Sequence, residues 1–351
     1  MPQPLADAWL HNLDPFALRL DWFPGGGLRW YGLSYLAGFA LGYFLVRRIV
    51  TAGVSPLKPA QVADFVVTLA IGIVVGGRLG YVLFYQPSLL WQFTSDVPFW
   101  GVFATMQGGM ASHGGIVGGM LGCVFFAWRQ RIPLLHAFDL MAFGGPIGLF
   151  FGRVANFVNG ELYGRECAAD FPLAVKFPQE MGDWLPQRLA DGTVTGGDPK
   201  LMQLEAGVRG AVGYVPTSSY DLVQFAIEKV QAGDAGVSAV VAPLLTPRYP
   251  SQLFAGLTEG LVVMAVLLIV YRKAVRPGLV GGAFGISYAL MRVLNEFFRM
   301  PDAHLMVDGQ LPAVTRGQWL SIALLLGGVT VVTVALQRKQ DKLGGWLRAG
   351  N

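Results

Sequence analysis

The sequence predicts an all-α polytopic membrane protein with seven transmembrane helices. Hydrophobic residues make up 53% of its 351 residues and charged residues only 14%, well below the roughly 25% of charged residues in soluble domains. The hydrophobic residues fall in runs long enough to cross a bilayer, which takes about 20 residues of helix. The predicted spans cover residues 30–46, 62–85, 111–128, 137–158, 252–271, 278–297 and 318–336.

The charges between the spans predict their orientation. Basic residues follow the first, third, fifth and seventh spans, whereas the short segments between the other spans are poor in lysine and arginine. These basic residues are Arg47, Arg48 and Lys58, then Arg129 and Arg131, then Arg272, Lys273 and Arg276, and finally Arg338, Lys339, Lys342 and Arg348. By the positive-inside rule, the N-terminus lies outside and the C-terminus lies in the cytoplasm. The net charge of +4 then sits mainly beside anionic membrane lipid, and we expect no nucleic-acid partner.

Three segments outside the spans complete the predicted organisation. Residues 1–29 mix acidic and aromatic side chains, which favours an amphipathic segment on the outer membrane surface, and they lack the basic start of a cleaved signal peptide. Residues 159–250 are expected to form a small extracytoplasmic subdomain with loops, a few short strands, turns such as Asp191-Gly192 and one helix near Ser219–Gln231. Residues 337–351 are a basic cytoplasmic tail. The first four spans occupy residues 30–158, and the last three occupy residues 251–336.

The two cysteines and four histidines of the chain do not indicate a disulfide or a metal site. Cys123 lies in the third span and Cys167 lies just outside the fourth, so we expect them to be too far apart to bridge. Neither cysteine has the spacing of metal ligands, and the histidines are scattered over the chain. We expect both cysteines to be unpaired and structural.

Residues 152–165 place charged and amide side chains at the end of an apolar run. On helical spacing, Arg153, Asn156 and Gly160 share one face, which puts a cation and an amide beside a position without a side chain. An arginine at the edge of a hydrophobic segment is costly, so it usually has a partner or a function. The spacing therefore predicts a cradle for an anionic group.

Three further polar side chains fall in the outer half of the predicted spans. Taken alone, Tyr31 is more typical of an interfacial anchor than of a site residue. Arg78 is equally compatible with a snorkelling side chain or an ion pair between helices. His113 stands at the outer end of a glycine stripe typical of close helix packing, and a lone histidine near an interface is more often structural. The stripe consists of Gly114, Gly118 and Gly122.

The sixth span carries Arg292 and Glu296 four residues apart, an arrangement also compatible with a purely structural ion pair. Nevertheless, polar groups from several spans at one depth indicate a site, and arginines with few acidic neighbours favour an anionic ligand. An enzyme and an anion or lipid transporter both fit these features. The absence of an evident inverted repeat weakens the transporter hypothesis, and a non-enzymatic scaffold leaves the membrane arginines unexplained.

These motifs resemble those of the prolipoprotein diacylglyceryl transferase family. The resemblance rests on residues 152–165, Trp30-Tyr31-Gly32, His113-Gly114-Gly115, Pro250-Ser251-Gln252 and Met300-Pro301-Asp302-Ala303. It covers all seven spans, with gaps in the long outer segment and at both termini. The chain departs from the family pattern at Ala255, where a glutamate is common. We also expect its outer segment, around residues 185–241, to be longer than the family usually carries.

The resemblance implies a transferase of the bacterial cytoplasmic (inner) membrane. In this family, phosphatidylglycerol donates its diacylglyceryl group to the lipobox cysteine thiol in the signal peptide of a prolipoprotein, at the outer face of the membrane. Glycerol phosphate leaves, and this is the first step of bacterial lipoprotein maturation. No cofactor is implied, because the donor lipid already carries an activated leaving group. The expected partners are therefore phosphatidylglycerol, the prolipoprotein signal peptide and the surrounding membrane lipid.

The resemblance also implies roles for the candidate residues. Arg153 and Arg292 would hold the phosphate group, because a guanidinium can bind two phosphate oxygens at once. His113 would act as a general base on the thiol, or it would only hydrogen-bond the donor lipid. The expected substrate-binding residues are Tyr31, Arg78 in a supporting role, Asn156 orienting the headgroup, Asn159, Glu161, Gly164 and Glu296.

Overall fold

The structure is a computed structural model that describes residues 8–20, 22, 26–52, 55–95, 97–104, 108–186, 197–300 and 316–346. The predicted turn at Asp191-Gly192 and the family-like Pro301-Asp302-Ala303 lie outside these residues. The α-helices are α1 (Trp30–Ala52), α2 (Val62–Phe84), α3 (Ser112–Gln130), α4 (Leu134–Ala142), α5 (Gly144–Asn159), α6 (Lys200–Val212), α7 (Ser219–Gln231), α8 (Ala235–Val241), α9 (Ser251–Ala255), α10 (Val263–Val270), α11 (Leu279–Asn295) and α12 (Arg316–Gln337). The strands are β1 (Trp9–Leu10), β2 (Phe16–Arg19), β3 (Gly27–Arg29), β4 (Val175–Lys176) and β5 (Pro247–Arg248).

Each predicted span coincides with helix in the described residues. Within the residues that the structure describes, five helical stretches are long and apolar enough to cross a membrane. They are Trp30–Ala52, Pro59–Phe84, Leu134–Asn159, Ser251–Val270 and Gly317–Gln337. The third predicted span is the glycine-rich α3, which is not among these five, and the sixth is α11, an apolar helix of 17 residues. The protein is thus a mostly helical, multi-pass membrane protein, and the count of seven spans stays a prediction.

Two of the predicted spans are not continuous α-helices. The fourth is divided into α4 and α5 by a turn at Phe143. The fifth contains a π-helical segment, Gly256–Val262, between α9 and α10. Such π-helical insertions are rare and frequently occur at functional sites. The apolar pattern of these spans indicated their position in the chain, but it carried no signal for either irregularity.

The glycine stripe of α3 packs against a second glycine stripe on α2. A Cβ atom on Gly118 would lie 2.0 Å from the carbonyl oxygen of Gly72, and one on Gly76 would lie 2.4 Å from the carbonyl oxygen of Gly114. No side chain fits at such distances, so the two helix backbones are in direct contact. The prediction that this stripe serves close helix packing is confirmed.

Asp139 on α4 caps the start of α11. Its two carboxylate oxygens accept hydrogen bonds from the N–H groups of Gly278, at 2.7 Å, and Gly281, at 2.8 Å. The first N–H groups of a helix have no partner within that helix, and a buried carboxylate satisfies two of them here. This contact joins two segments that are 139 residues apart in the chain.

The N-terminal segment is part of a small sheet. Strand β1 pairs in parallel with β4, which pairs in antiparallel with β5. Strands β2 and β3 form a separate antiparallel pair directly before α1. The prediction of a few short strands in the outer segment is confirmed by β4 and β5, while the strands of the N-terminal segment were not predicted.

The outer segment contains a helical module with its own hydrophobic core. Helix α7 has the predicted bounds, whereas α6 and α8 were not predicted. The N-cap residue Ser218 accepts a hydrogen bond from the N–H group of Asp221 at 3.0 Å, and this cap starts α7. The fully buried core residues of the module include Leu204, Val208, Val223, Val230 and Val237.

The described residues pack as two compact units. The first lies within residues 1–35, 149–258 and 291–319, and the second lies within residues 36–148, 259–290 and 320–351. Both cysteines are free, as predicted. Cys123 is buried and Cys167 is half-buried.

Candidate functional site

Four of the predicted substrate-binding residues meet in the first unit. Nδ2 of Asn156 donates a hydrogen bond to the Tyr31 hydroxyl oxygen, and that hydroxyl donates to Oε2 of Glu161 at 3.0 Å. Nδ2 of Asn159 donates to Oε1 of the same carboxylate at 3.3 Å. One chain of hydrogen bonds therefore joins these residues, although Tyr31 and Glu161 are 130 positions apart. We call this set the Tyr31 cluster.

The end of α5 positions the Tyr31 cluster. The helix stops after Asn159 because Gly160 adopts a left-handed φ of 71°, which glycine reaches without steric cost. The N–H groups of Gly160 and Glu161 donate back to the carbonyl oxygens of Phe157 and Asn156, at 2.9 Å each. The chain thus reverses tightly and brings Glu161 back beside the helix that carries Asn156 and Asn159.

Arg153 lies one helical turn before Asn156 on α5. Its side chain is half-buried, and its guanidinium interacts electrostatically with the Tyr31 hydroxyl. A Cβ atom on Gly256 would lie 3.4 Å from the Cβ atom of Arg153. The cation therefore stands beside the Tyr31 cluster, and its helix packs against the first residue of the π-helical segment.

Arg292 and Glu296 form the predicted ion pair. Nη1 of Arg292 donates to Oε2 of Glu296 at 2.6 Å, and both side chains are mostly buried. A Cβ atom on Gly317 would lie 3.0 Å from Nη2 of Arg292. Glycine at the start of α12 therefore leaves the guanidinium space that any larger residue would occupy.

The π-helical segment contacts both helices that carry the two arginines. Asn295, which is 1% exposed, donates from Nδ2 to the Thr258 hydroxyl oxygen at 2.7 Å. Because Gly256 contacts Arg153 on α5, the same turn of the fifth helix contacts both α5 and α11. Arg153 and Arg292 therefore lie on two helices that both contact this turn.

Gly164 lies between two other backbone segments, one at Tyr249 and one at Phe298. A Cβ atom on Gly164 would lie 2.5 Å from the carbonyl oxygen of Phe298 and 2.6 Å from that of Tyr249. The Gly164 N–H group donates to the Tyr249 carbonyl at 2.9 Å, and Nε of Arg165 donates to the Arg299 carbonyl at 2.8 Å. This glycine thus allows the loop after the Tyr31 cluster to join the end of α11.

Arg78 is held by backbone carbonyl groups. It is buried, with 6% exposed. Nε donates a hydrogen bond to the carbonyl oxygen of Val102 at 2.7 Å, and Nη2 donates to that of Gly101 at 2.6 Å. Nη1 donates to the carbonyl oxygens of Gly108, at 2.8 Å, and Gly109, at 2.9 Å. A guanidinium has five N–H donors, and these bonds use four of them. The geometry favours the supporting role predicted for Arg78 over direct contact with a ligand.

His113 is exposed in the first turn of α3, four residues after Gly109, which is bonded to Arg78. Arg78 therefore holds the loop that leads into the helix start carrying His113. Both residues belong to the second unit. Their predicted meeting with the Tyr31 cluster stays a prediction.

A buried ion pair that the sequence analysis missed supports the loop around Gly164. Nε of Arg248 donates to Oε2 of Glu180 at 2.9 Å, with the two side chains 7% and 4% exposed. Nη1 of Arg248 reaches the Gly164 carbonyl at 3.4 Å, and the guanidinium stacks 5.0 Å from the ring centre of Tyr163. Since the partners are 68 residues apart, the sequence held no local signal for this pair.

His11 was also missed, and it supports the C-terminal turn of α5. It is fully buried, and its Nε2 lies 2.7 Å from the carbonyl oxygen of Phe157. Its ring packs edge-on against Phe157, with ring centres 5.4 Å apart, and at a tilt of 34° against Phe177, with ring centres 5.3 Å apart. Burial lowers the pKa of His11 from 6.5 to about 4, so the imidazole is neutral at pH 7 and Nε2 carries the proton that it donates to Phe157.

Comparison with known proteins assigns the chain to a family. A family model described as prolipoprotein diacylglyceryl transferase matches residues 22–334. The chain belongs to this family. The match includes every residue of the Tyr31 cluster as well as Arg153 and Arg292, so the resemblance inferred from the sequence motifs is confirmed.

Individual family members are similar over nearly their whole length. A protein of Bdellovibrio bacteriovorus named phosphatidylglycerol–prolipoprotein diacylglyceryl transferase is 43% identical over 348 residues, which cover 97% of each chain. A protein of Rhizobium meliloti with the same name is 35% identical, and the match covers 95% of this chain and 94% of the relative. A protein of Erythrobacter litoralis with the same name is 34% identical, and the match covers 89% of this chain and 87% of the relative. The match to the Bdellovibrio family member spans the long outer segment, so a segment of this kind also occurs in that relative.

Proposed function

We propose that this protein transfers the diacylglyceryl group of phosphatidylglycerol to the cysteine thiol of a prolipoprotein. The proposal is carried by its 43% identity, over 97% of the chain, to a family member named for this reaction. It is supported by the Arg153 cation, which stands beside a cluster of hydroxyl, amide and carboxylate groups, and by Arg292, whose helix contacts the same π-helical turn. Such a set suits a polar, anionic lipid headgroup better than an uncharged ligand.

The proposed membrane arrangement has seven spans in the bacterial inner membrane. The N-terminus and residues 159–250 lie outside and the basic tail lies in the cytoplasm, because the basic loops alternate along the chain. A reporter enzyme fused after Arg338 should therefore be active only on the cytoplasmic side, and one inserted near Gly196 only on the outer side. Finding both reporters on one side would contradict this arrangement.

In the proposed reaction, one carbon–oxygen bond breaks and one carbon–sulfur bond forms. The sulfur of the lipobox cysteine attacks the glycerol carbon that carries the phosphate ester, and glycerol phosphate leaves with the bonding electrons. Arg153 and Arg292 bind the phosphate oxygens and stabilise the charge that develops on them. Removing one such donor typically lowers a rate by about 10²- to 10³-fold.

The thiol must lose its proton during the reaction, and His113 is the proposed acceptor. A free thiol has a pKa of about 8.5. At neutral pH, a base therefore accelerates the attack on the glycerol carbon by forming the thiolate. Arg78 supports His113 by fixing the loop before α3. If His113 is the base, His113→Gln should slow transfer, and raising the pH should restore part of the rate. A rate that stays low at every pH would leave His113 only a role in binding the donor lipid.

A purified protein in detergent tests the transferase proposal against the alternative of an anion or lipid transporter. Transport needs two compartments, whereas transfer chemistry does not. Given phosphatidylglycerol and a lipobox peptide, the protein should release glycerol phosphate and add one diacylglyceryl group to the peptide mass. A peptide with serine for cysteine should react very poorly, because an alcohol stays protonated at neutral pH. If no adduct forms under any condition, the protein is not this transferase.

A further inference from the structure

Around the turn at residues 159–161 lie amide side chains whose oxygens accept no hydrogen bond from the part of the chain that the structure describes. Gln252 is 1% exposed and Asn159 is 8% exposed. Gln179 covers the backbone at Gly160, since its Oε1 would lie 2.1 Å from a Cβ atom there. No described residue donates a hydrogen bond to Oε1 of Gln252, Oδ1 of Asn159 or Oε1 of Gln179. A buried carbonyl oxygen without a donor is destabilising, so each of these oxygens is a candidate contact for a ligand.

The amide orientations of Gln252 and Asn159 follow from their partners. Nε2 of Gln252 donates to the backbone carbonyl oxygen of Glu161 at 2.6 Å, and a carbonyl oxygen can only accept. The amide end that faces it must be the NH₂ group, so the other end is the oxygen. The same reasoning applies to Asn159, whose NH₂ group faces the Glu161 carboxylate at 3.3 Å. Two oriented, buried acceptors therefore lie against one turn.

Acceptors of this kind require a ligand that donates hydrogen bonds. The Glu161 carboxylate already accepts hydrogen bonds from Tyr31 and Asn159. The Arg153 cation, which lies on α5 like Asn159, interacts electrostatically with the Tyr31 hydroxyl. A second cation such as an ammonium group is disfavoured by the positive field of Arg153. Neutral hydroxyl groups are the remaining good donors, and a polyol provides two of them close together.

We propose that Oε1 of Gln252 and Oδ1 of Asn159 accept hydrogen bonds from the hydroxyl groups of the glycerol headgroup, and that Gln252 thereby helps to select phosphatidylglycerol as the donor lipid. This inference rests on the proposed function. It assigns Gln252, which was predicted only as part of a family motif, to the headgroup that leaves with the phosphate. Arg153 and Arg292 bind the charge of that leaving group, while the amide oxygens distinguish a polyol from a simple alkyl headgroup.

The test compares two lipids that differ only in their hydroxyl groups. Phosphatidylglycerol and phosphatidylpropanol with the same acyl chains have headgroups of three carbons, but phosphatidylpropanol has no hydroxyl on them. The readout is kcat/KM for diacylglyceryl transfer to a lipobox peptide, with each lipid, for each protein. The wild-type protein should prefer phosphatidylglycerol by on the order of tenfold or more, because the alkyl headgroup leaves buried acceptors unpaired.

The substitution Gln252→Met removes the acceptor at nearly constant side-chain volume, and it should lower the preference for phosphatidylglycerol towards one. Ser251→Ala is the matched control, because the Ser251 hydroxyl holds the same loop through the Leu162 carbonyl, at 3.1 Å, without offering an amide oxygen. Ser251→Ala should change kcat/KM by the same factor with both lipids, so the preference for phosphatidylglycerol should stay the same. Phosphatidylethanolamine should be a poorer donor than phosphatidylglycerol in the wild-type protein.

Two results would overturn this inference. The first is a wild-type protein that uses both matched lipids equally, and this measurement needs no folded variant. The second is a folded Gln252→Met protein that loses activity equally with both lipids, since that pattern identifies a structural role. By contrast, a wild-type protein that forms no adduct with either lipid refutes the proposed function itself, so the two failures are distinguishable.

Discussion

Acidification should destabilise this protein through His11, and the size of the effect follows from its burial. The imidazole is fully buried, and burial lowers its pKa from 6.5 to about 4. The unfolded chain therefore binds a proton at His11 between pH 6.5 and 4, whereas the folded protein does not. Because the unfolded state binds more protons in this window, stability falls as the pH falls. The contribution of the neutral His11 side chain to the free energy of unfolding is fully present above pH 6.5, and it is lost progressively as the pH falls from 6.5 through 4.

The free energy follows from the two pKa values of His11. Each pKa unit corresponds to about 1.4 kcal/mol, so the full shift corresponds to about 3 kcal/mol. Between pH 7.5 and pH 5, linkage predicts a loss of about 2 kcal/mol from this residue alone. For a folded protein of this size, such a loss lowers the unfolding midpoint by on the order of 5 °C.

Thermal unfolding in detergent, followed by tryptophan fluorescence at pH 5 and pH 7.5, measures this effect. The comparison uses wild-type protein, His11→Phe, which removes both titration and the bond to Phe157, and His11→Gln, which removes titration but keeps an N–H donor. Other groups titrate in the same range, so the quantity of interest is the pH dependence of the wild type minus that of each variant. Both variants should be less sensitive to acid, and His11→Gln should be the more stable of the two at pH 7.5.

Equal acid sensitivity in the wild type and both variants would refute this reasoning. That result would mean that His11 is protonated with its ordinary pKa in the folded protein and is therefore not held in a dry environment. It would also remove the argument that a neutral imidazole supports the C-terminal turn of α5. If acid sensitivity decreased only in His11→Phe, the cause would be lost packing and not lost titration.

Three further predictions concern the site. Arg153→Lys and Arg292→Lys keep the charge but lose the planar fork, so each should lower kcat by roughly 10²-fold or more without changing membrane insertion; near-native turnover in either variant would make that arginine structural. Gly164→Ala should lower the unfolding midpoint and the activity together, because its Cβ atom would overlap two carbonyl oxygens, at a cost of about 1–3 kcal/mol; an unchanged midpoint would contradict the packing described here. Cys123→Ser and Cys167→Ser should keep turnover within about twofold, because the reacting thiol belongs to the acceptor; a folded but inactive cysteine variant would indicate a covalent enzyme intermediate.

The membrane helices and the candidate residues could be predicted because they depend on local properties of the chain. A run of about 20 apolar residues forms a helix in a bilayer wherever it occurs, since lipid leaves the backbone no other hydrogen-bond partners. The stripe at Gly114, Gly118 and Gly122 indicated close packing for the same reason, because small residues four positions apart always share a helix face. Arg153 and Asn156 were identified by their unusual place at the end of an apolar run.

What only the tertiary structure decided is which of these groups meet. The hydrogen bond from Tyr31 to Glu161, the ion pair of Arg248 and Glu180, and the contact of Gln252 with the Glu161 carbonyl all join residues that are far apart in the chain. A single sequence records side-chain chemistry but not these pairings, because they arise only when separate segments pack together. The sequence by itself therefore determined a multi-pass helical protein with arginines and amides at the ends of its spans. Packing decided that Arg78 serves backbone carbonyls and that Gln252 presents a buried amide oxygen beside the Tyr31 cluster.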